Sequence, residues 1–259
     1  MAAITRVLLA LLLQLSQIAP VLAQEQSRVT IRFFPGNLKS NPPEISYVEF
    51  TGQIRPEGVS ELRKALDEAL LKTNVRTWAN EPKIVLKVNS PGGNVEAGIS
   101  MGKMLRAYAV DIRVYPRELC ASACVLLLAG AVERLAFDGA RIGIHRPRFD
   151  ANKFAQMSRL EADRKYQQLA ATVEAYLAEM GMPSALYSAM MRISSGKIIY
   201  LTEKQAEELS LVGEDSAYAE WARARAQQIN APSFLEGLDK YIECLNSGGS
   251  KCTNYIPRR

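Results

Sequence analysis

The chain has 259 residues, of which 48% are hydrophobic and 23% charged, with a formal net charge of +5. This composition excludes a disordered or fibrous chain and suffices for one substantial α/β domain or two small ones. The positive excess is spread without a Lys/Arg run and accompanies no nucleic-acid motif, so no nucleic-acid partner is expected.

Taken in chain order, the first residues read as a targeting segment. Arg6 is followed by VLLALLLQL and then SQIAPVLA, a positive start, an apolar core and small residues near Ala23. A secretory signal peptide over residues 1–23 is expected, cleaved after Ala23; the alternative is an uncleaved anchor or an apolar helix of the fold. Residues 24–44 form a polar, proline-bearing extension with one strand predicted at 29–34. The main domain is expected over 45–215. ISYVEFTGQI (45–54) alternates like a strand, and PEGVSELRKALDEALLKT reads as a helix that Ser60 could cap. KIVLKVN (83–89) is a buried strand, SPGG a breaker, and VEAGISMGKMLRAYA (95–109) a helix with small residues on one side. DIRVYP (111–116) is a short strand, CVLLLAGA (124–131) a buried helix, and RLAF and RIGIH are short strands around Asp138-Gly139. Residues 153–191 are a long helical stretch broken near Gly181. LTEKQAEELSLV (201–212) is a turn and a short helix with Thr202 as its cap. Residues 216–259 are a helical tail. The alternation of strand, turn and helix predicts an α/β domain with a parallel sheet.

Export permits disulfides. Cys244 and Cys252 flank LNSGGSK and are expected to bridge, stapling the tail. Cys120 and Cys124, on one helical turn, would have Cα atoms about 6 Å apart, within bridging range. For this pair a disulfide and two buried thiols stand as equal readings. With one histidine and no CxxC pair, no metal site is expected, and nothing points to a cofactor.

Three segments carry chemistry. In VNSPGGNVEAG (88–98) a strand ends at glycines whose backbone N–H groups can turn into a cavity. Ser122 stands between Ala121 and Ala123 at the start of a buried helix, where free N–H donors favour negative charge; its other reading is an N-cap. His145, the only histidine, ends RIGIH before a proline turn, and a neutral imidazole is the base a serine hydroxyl needs near pH 7.

In their order and spacing, SPGG, ASACVLLLAG, RIGIHRP and LTEKQAEELSLV resemble the proteolytic subunit of the Clp protease, within the Clp/crotonase superfamily. The resemblance runs from about Ile84 to Val212, and the nearest group is the exported Clp-protease-like proteins of bacteria, which implies the periplasm. It implies an α/β Clp/crotonase-like spiral of β-β-α units with a helical arm at 153–191 that serves homo-oligomer contacts. It also implies a serine peptidase: Ser122 the nucleophile, His145 the base, and the N–H groups of Gly92 or Gly93 and of Ala123 the oxyanion hole. Where the family carries its acidic third member, this sequence has Ile198. Asp150, Glu203 and Asp215 are the candidates to replace it. A second reading makes Lys165 the base, as in serine–lysine peptidases. A catalytically weakened binding or scaffold protein is the alternative to an active enzyme, and an acyl-CoA enzyme of the crotonase type is disfavoured, for want of an acidic pair near the glycine turn. The substrate is expected to be a peptide or an unfolded protein. The Clp subunit works with an ATP-driven unfoldase, but an exported chain without a P-loop is expected to have no ATPase partner.

Overall fold

The computed structural model describes residues 29–40, 44–76, 82–148, 157–194 and 196–215. The signal segment, Asp150, Cys244 and Cys252 lie outside the described residues. Among those described, no helix is long and apolar enough to cross a membrane.

The strands are β1 (Thr30–Phe34), β2 (Tyr47–Thr51), β3 (Val85–Asn89), β4 (Asp111–Val114), β5 (Leu119–Ala121), β6 (Glu133–Ala136), β7 (Arg141–Ile144), β8 (Ile199–Tyr200) and β9 (Gly213–Glu214). The helices are α1 (Gly58–Lys72), α2 (Val95–Ala107), α3 (Cys124–Gly130), α4 (Arg159–Glu179), α5 (Ser184–Arg192) and α6 (Glu203–Glu208). A six-stranded sheet has the order β1-β2-β3-β4-β6-β9, and a three-stranded sheet the order β5-β7-β8. The inner pairs β2–β3, β3–β4 and β4–β6 are parallel, while β1 and β9 close the edges antiparallel. The sheet is therefore mixed, with the expected parallel part at its centre.

The two sheets are built by one repeated path. After each inner strand of the large sheet the chain makes a second extended piece and then a helix. The second pieces pair with one another: Ile54 with Gly93, Ser90 with Cys120, and β5 with β7, all parallel. This is a spiral of β-β-α units in a mixed α/β fold, as the resemblance implied.

Helix α1 begins at Gly58, not at Ser60. Glu57 occupies the N-cap position and Ser60 Oγ donates back to the Glu57 carbonyl (3.0 Å), because the Pro56-Glu57 turn has already set the chain into helical geometry. At α6, Thr202 caps as expected and forms a capping box with Gln205.

Every residue of α3 is buried. Its neighbour α2 reaches it through small residues. A Cβ on Gly130 would start 2.1 Å from the Gly102 carbonyl oxygen, so only glycine allows the two backbones to meet there. Tyr176 of α4 lies over the same junction and donates its hydroxyl to the Leu126 carbonyl (2.7 Å). Hydrophobic burial thus fixes α3, and with it the turn that carries Ser122.

Candidate active site

The in-register parallel pairing of β5 and β7 sets Ala121 beside Gly143. The residues that follow these strands then leave the sheet at the same end. One is Ser122 and the other begins the segment of His145. The Ser122 N–H donates to the Gly143 carbonyl (2.9 Å), which prolongs the ladder to Ser122 itself. Ser122 has φ +59°, a left-handed conformation uncommon for a serine. That turn ends β5 sharply and starts α3, lifting the hydroxyl clear of the helix. Ser122 is not the N-cap of α3; Ala123 holds that place.

His145 is 5% exposed. Its Nε2 lies 2.6 Å from Ser122 Oγ, and its Nδ1 lies 2.6 Å from the Arg146 carbonyl oxygen. A carbonyl can only accept, so Nδ1 carries the ring proton and donates it. Nε2 is then left with a lone pair that accepts from the Ser122 hydroxyl, the tautomer a general base requires. Burial holds the His145 pKa below the ordinary histidine value; the Arg146 carbonyl opposes this, and the nearby Arg148 charge adds to it. The imidazole is therefore neutral at pH 7.

The glycine turn packs directly over the nucleophile. A Cβ on Gly92 (φ +94°) would lie 2.5 Å from Ser122 Cβ and 2.8 Å from the Ala123 nitrogen. The Gly92 N–H is already committed, donating to Ser90 Oγ (3.1 Å). Gly93 is placed differently. Ile54 donates to the Gly92 carbonyl and accepts from the Asn94 N–H, so Gly93's own N–H is turned away from Ile54. Of the two glycines, Gly93 is thus the one free to face a developing oxyanion together with Ala123, whose N–H stands at the head of α3.

The other sequence expectations fare as follows. Cys120 and Cys124 form a disulfide, Cα–Cα 5.2 Å, that brackets Ser122. Lys165 does not approach the nucleophile's base position. It lies on α4 with its side chain 46% exposed and ion-paired to Glu161 (3.5 Å), a solvated i,i+4 pair. Asp215 is not a third catalytic member either. Its carboxylate meets Arg106 (3.1 Å) and Arg134 (3.6 Å). Glu203 is exposed in the first turn of α6, where it complements the helix dipole. Ile198 immediately precedes β8. The β7–β8 register pairs Gly143 with Tyr200 and Ile144 with Ile199, so the next pair in line is His145 and Ile198. The partner of Nδ1 that the sequence did not reveal is the Arg146 main chain, because a backbone carbonyl has no signature in residue identity. Among the described residues, no cluster of His, Cys, Asp or Glu could hold a metal ion.

Several known proteins are similar to parts of this chain. An ATP-dependent Clp protease proteolytic subunit from Cyanophora paradoxa is 44% identical over 66 residues, 25% of this chain and 34% of the relative. Those from Mesostigma viride and Staurastrum punctulatum are 29% and 28% identical over 110 and 130 residues. These two matches cover 39% and 48% of this chain and 48% and 62% of the relatives. The chain thus matches less than two thirds of the length of each. A mutant of ClpP1 from Listeria monocytogenes is similar in structure over 64% of this chain and 89% of its own, at 20% identity and a TM-score of 0.45. The Clp protease family model matches residues 66–208, a span that holds Gly93, Ser122 and His145. With more than half its length in that match, the chain belongs to the Clp protease family.

Proposed function

We propose that this chain is an exported serine peptidase in which Ser122 attacks the substrate carbonyl and His145 is the base. The observation that carries the reading is the 2.6 Å contact between Ser122 Oγ and His145 Nε2, with Nδ1 tied behind it. The Ser122 proton passes to Nε2 as Oγ bonds to the carbonyl carbon. The oxyanion accepts hydrogen bonds from the Gly93 and Ala123 N–H groups. The peptide C–N bond then breaks, the leaving amine takes the proton from His145, and water releases the acyl group by the same steps in reverse. The Cys120–Cys124 bridge supports export, since such bonds persist in oxidising compartments. Substrates are short peptides or unfolded segments, and no ATPase partner is part of the proposal. Assembly as a homo-oligomer through the helical arm belongs to the same reading.

Ile198 opposite His145 favours a second reading, a fold kept for binding with weakened catalysis. A fluorophosphonate probe separates the two. The peptidase reading expects covalent labelling of the wild type that Ser122→Ala abolishes, a loss of at least about a thousandfold. A wild-type protein that takes no label supports the scaffold.

A further inference from the structure

We infer that Arg146 is a positioning residue for His145, supplying through its own main-chain carbonyl the orienting contact that an acid at position 198 would give. The inference rests on the Ser122–His145 reading above. Three observations converge on it. The β7–β8 ladder ends at Ile144 and Ile199, and the residue next in line with His145 is Ile198, which can accept nothing. The Nδ1–H donates instead to the Arg146 carbonyl at 2.6 Å. And that carbonyl is held in place from two sides.

On one side stands Pro147, which is buried and restricts the residue before it to extended backbone. On the other, the Arg146 guanidinium reaches α5. Its Nε donates to the Met191 carbonyl (3.0 Å), and its Nη2 donates to the same oxygen. Met191 lies in the last turn of α5, where helix carbonyls have no partner within the helix. Arg146 therefore caps α5 with its side chain and orients His145 with its backbone. Residues 145–148 belong to no strand, so this clamp replaces the ladder that fixes Ser122.

The consequence differs from that of an acid. A carbonyl sets the tautomer as firmly as a carboxylate, since both accept from Nδ1–H. It compensates the imidazolium formed during acylation less, because it bears no full charge. The chain should therefore be an ordered but slow catalyst.

His145 is the sole histidine, so long-range proton–nitrogen NMR of the full chain reads one imidazole without assignment. The wild type is expected to show the Nδ1–H tautomer. Arg146→Ala should mix the tautomers and slow fluorophosphonate labelling at saturating probe at least tenfold, with half-saturation unchanged. Arg146→Lys, which keeps a donor for Met191, should recover part of the rate. Ile198→Asp, alone or with Arg146→Ala, should give a pure Nδ1–H tautomer, raise the histidine pKa and restore or exceed the wild-type rate. Wild-type tautomer and rate in Arg146→Ala would overturn the inference. So would a slower rate with the tautomer unchanged, which would make the residue merely structural. A wild-type chain that never labels removes the peptidase reading, while the tautomer still decides whether Arg146 positions the ring.

Discussion

Two ends of the fold, the start of β4 and β6 in the large sheet and the end of β5 and β7 in the small one, treat buried charge in opposite ways. Where β4 and β6 begin, acids and bases crowd together. Lys83 meets Asp111 (2.7 Å) and Glu133 (3.1 Å), and burial pushes the Asp111 carboxyl well above the ordinary carboxylate range while the Lys83 charge opposes it. Beside them Arg134, 3% exposed, donates to the carbonyls of Leu128 (2.7 Å), Ala131 (3.0 Å) and Ser210 (2.9 Å) and meets Asp215. At the end of β5 in the small sheet, where the chain turns into Ser122, the buried titratable group is His145. The difference teaches where this chain uses its carboxylates. They fix strand ends and helix ends, while Ser122 meets an imidazole backed by a main-chain carbonyl.

Breaking the charged end should cost the most stability. Arg134→Met strands several buried carbonyls and leaves Asp215 to Arg106, and should lower the free energy of urea unfolding by about 3–5 kcal/mol. Ser122 in the folded fraction should still label at the wild-type rate; a large drop in that rate would mean the two ends are coupled. Breaking the site end should reverse the pattern. Gly92→Ala drives a methyl against Ser122 Cβ and the Ala123 nitrogen, and labelling should fall at least about a hundredfold, the scale of a lost oxyanion donor. Wild-type labelling of that variant would show that the glycine turn does not shape the site. The smallest effect belongs to the bridge between them. Replacing Cys120 and Cys124 together by alanine should cost about 2 kcal/mol by the loop-entropy relation for so short a loop, read as a shift in urea midpoint. An unchanged midpoint would mean the bridge adds nothing to the burial of α3.

Much of the site was legible because its parts are local. A buried strand ending in Pro-Gly-Gly, a serine between alanines before an apolar run, and a histidine after RIGI each announce themselves within a few residues. The spiral that gathers them was legible only through resemblance, since the pairings of Ile54 with Gly93 and of β5 with β7 join residues far apart in sequence. What sequence could not show lies in backbone atoms and in competition for charge. The Gly92 N–H is spent on Ser90, which leaves Gly93 as the candidate oxyanion donor of the pair. Asp215 had the right residue type for a third member, but two arginines claim it. Lys165 sits among EADRKYQQ, a polar run whose exposure the structure bears out.

The most direct test of the Ser122–His145 pair is the pH dependence of fluorophosphonate labelling in the wild type, with the adduct located by peptide mass. Below its pKa the imidazole is protonated and cannot accept the Ser122 hydrogen; burial sets that pKa below the ordinary 6.5. The account predicts one adduct, on the peptide holding Ser122, whose rate of formation falls on acidification with its midpoint below pH 6.5. An adduct on another residue, or a rate that declines already between pH 8 and 7, would contradict it.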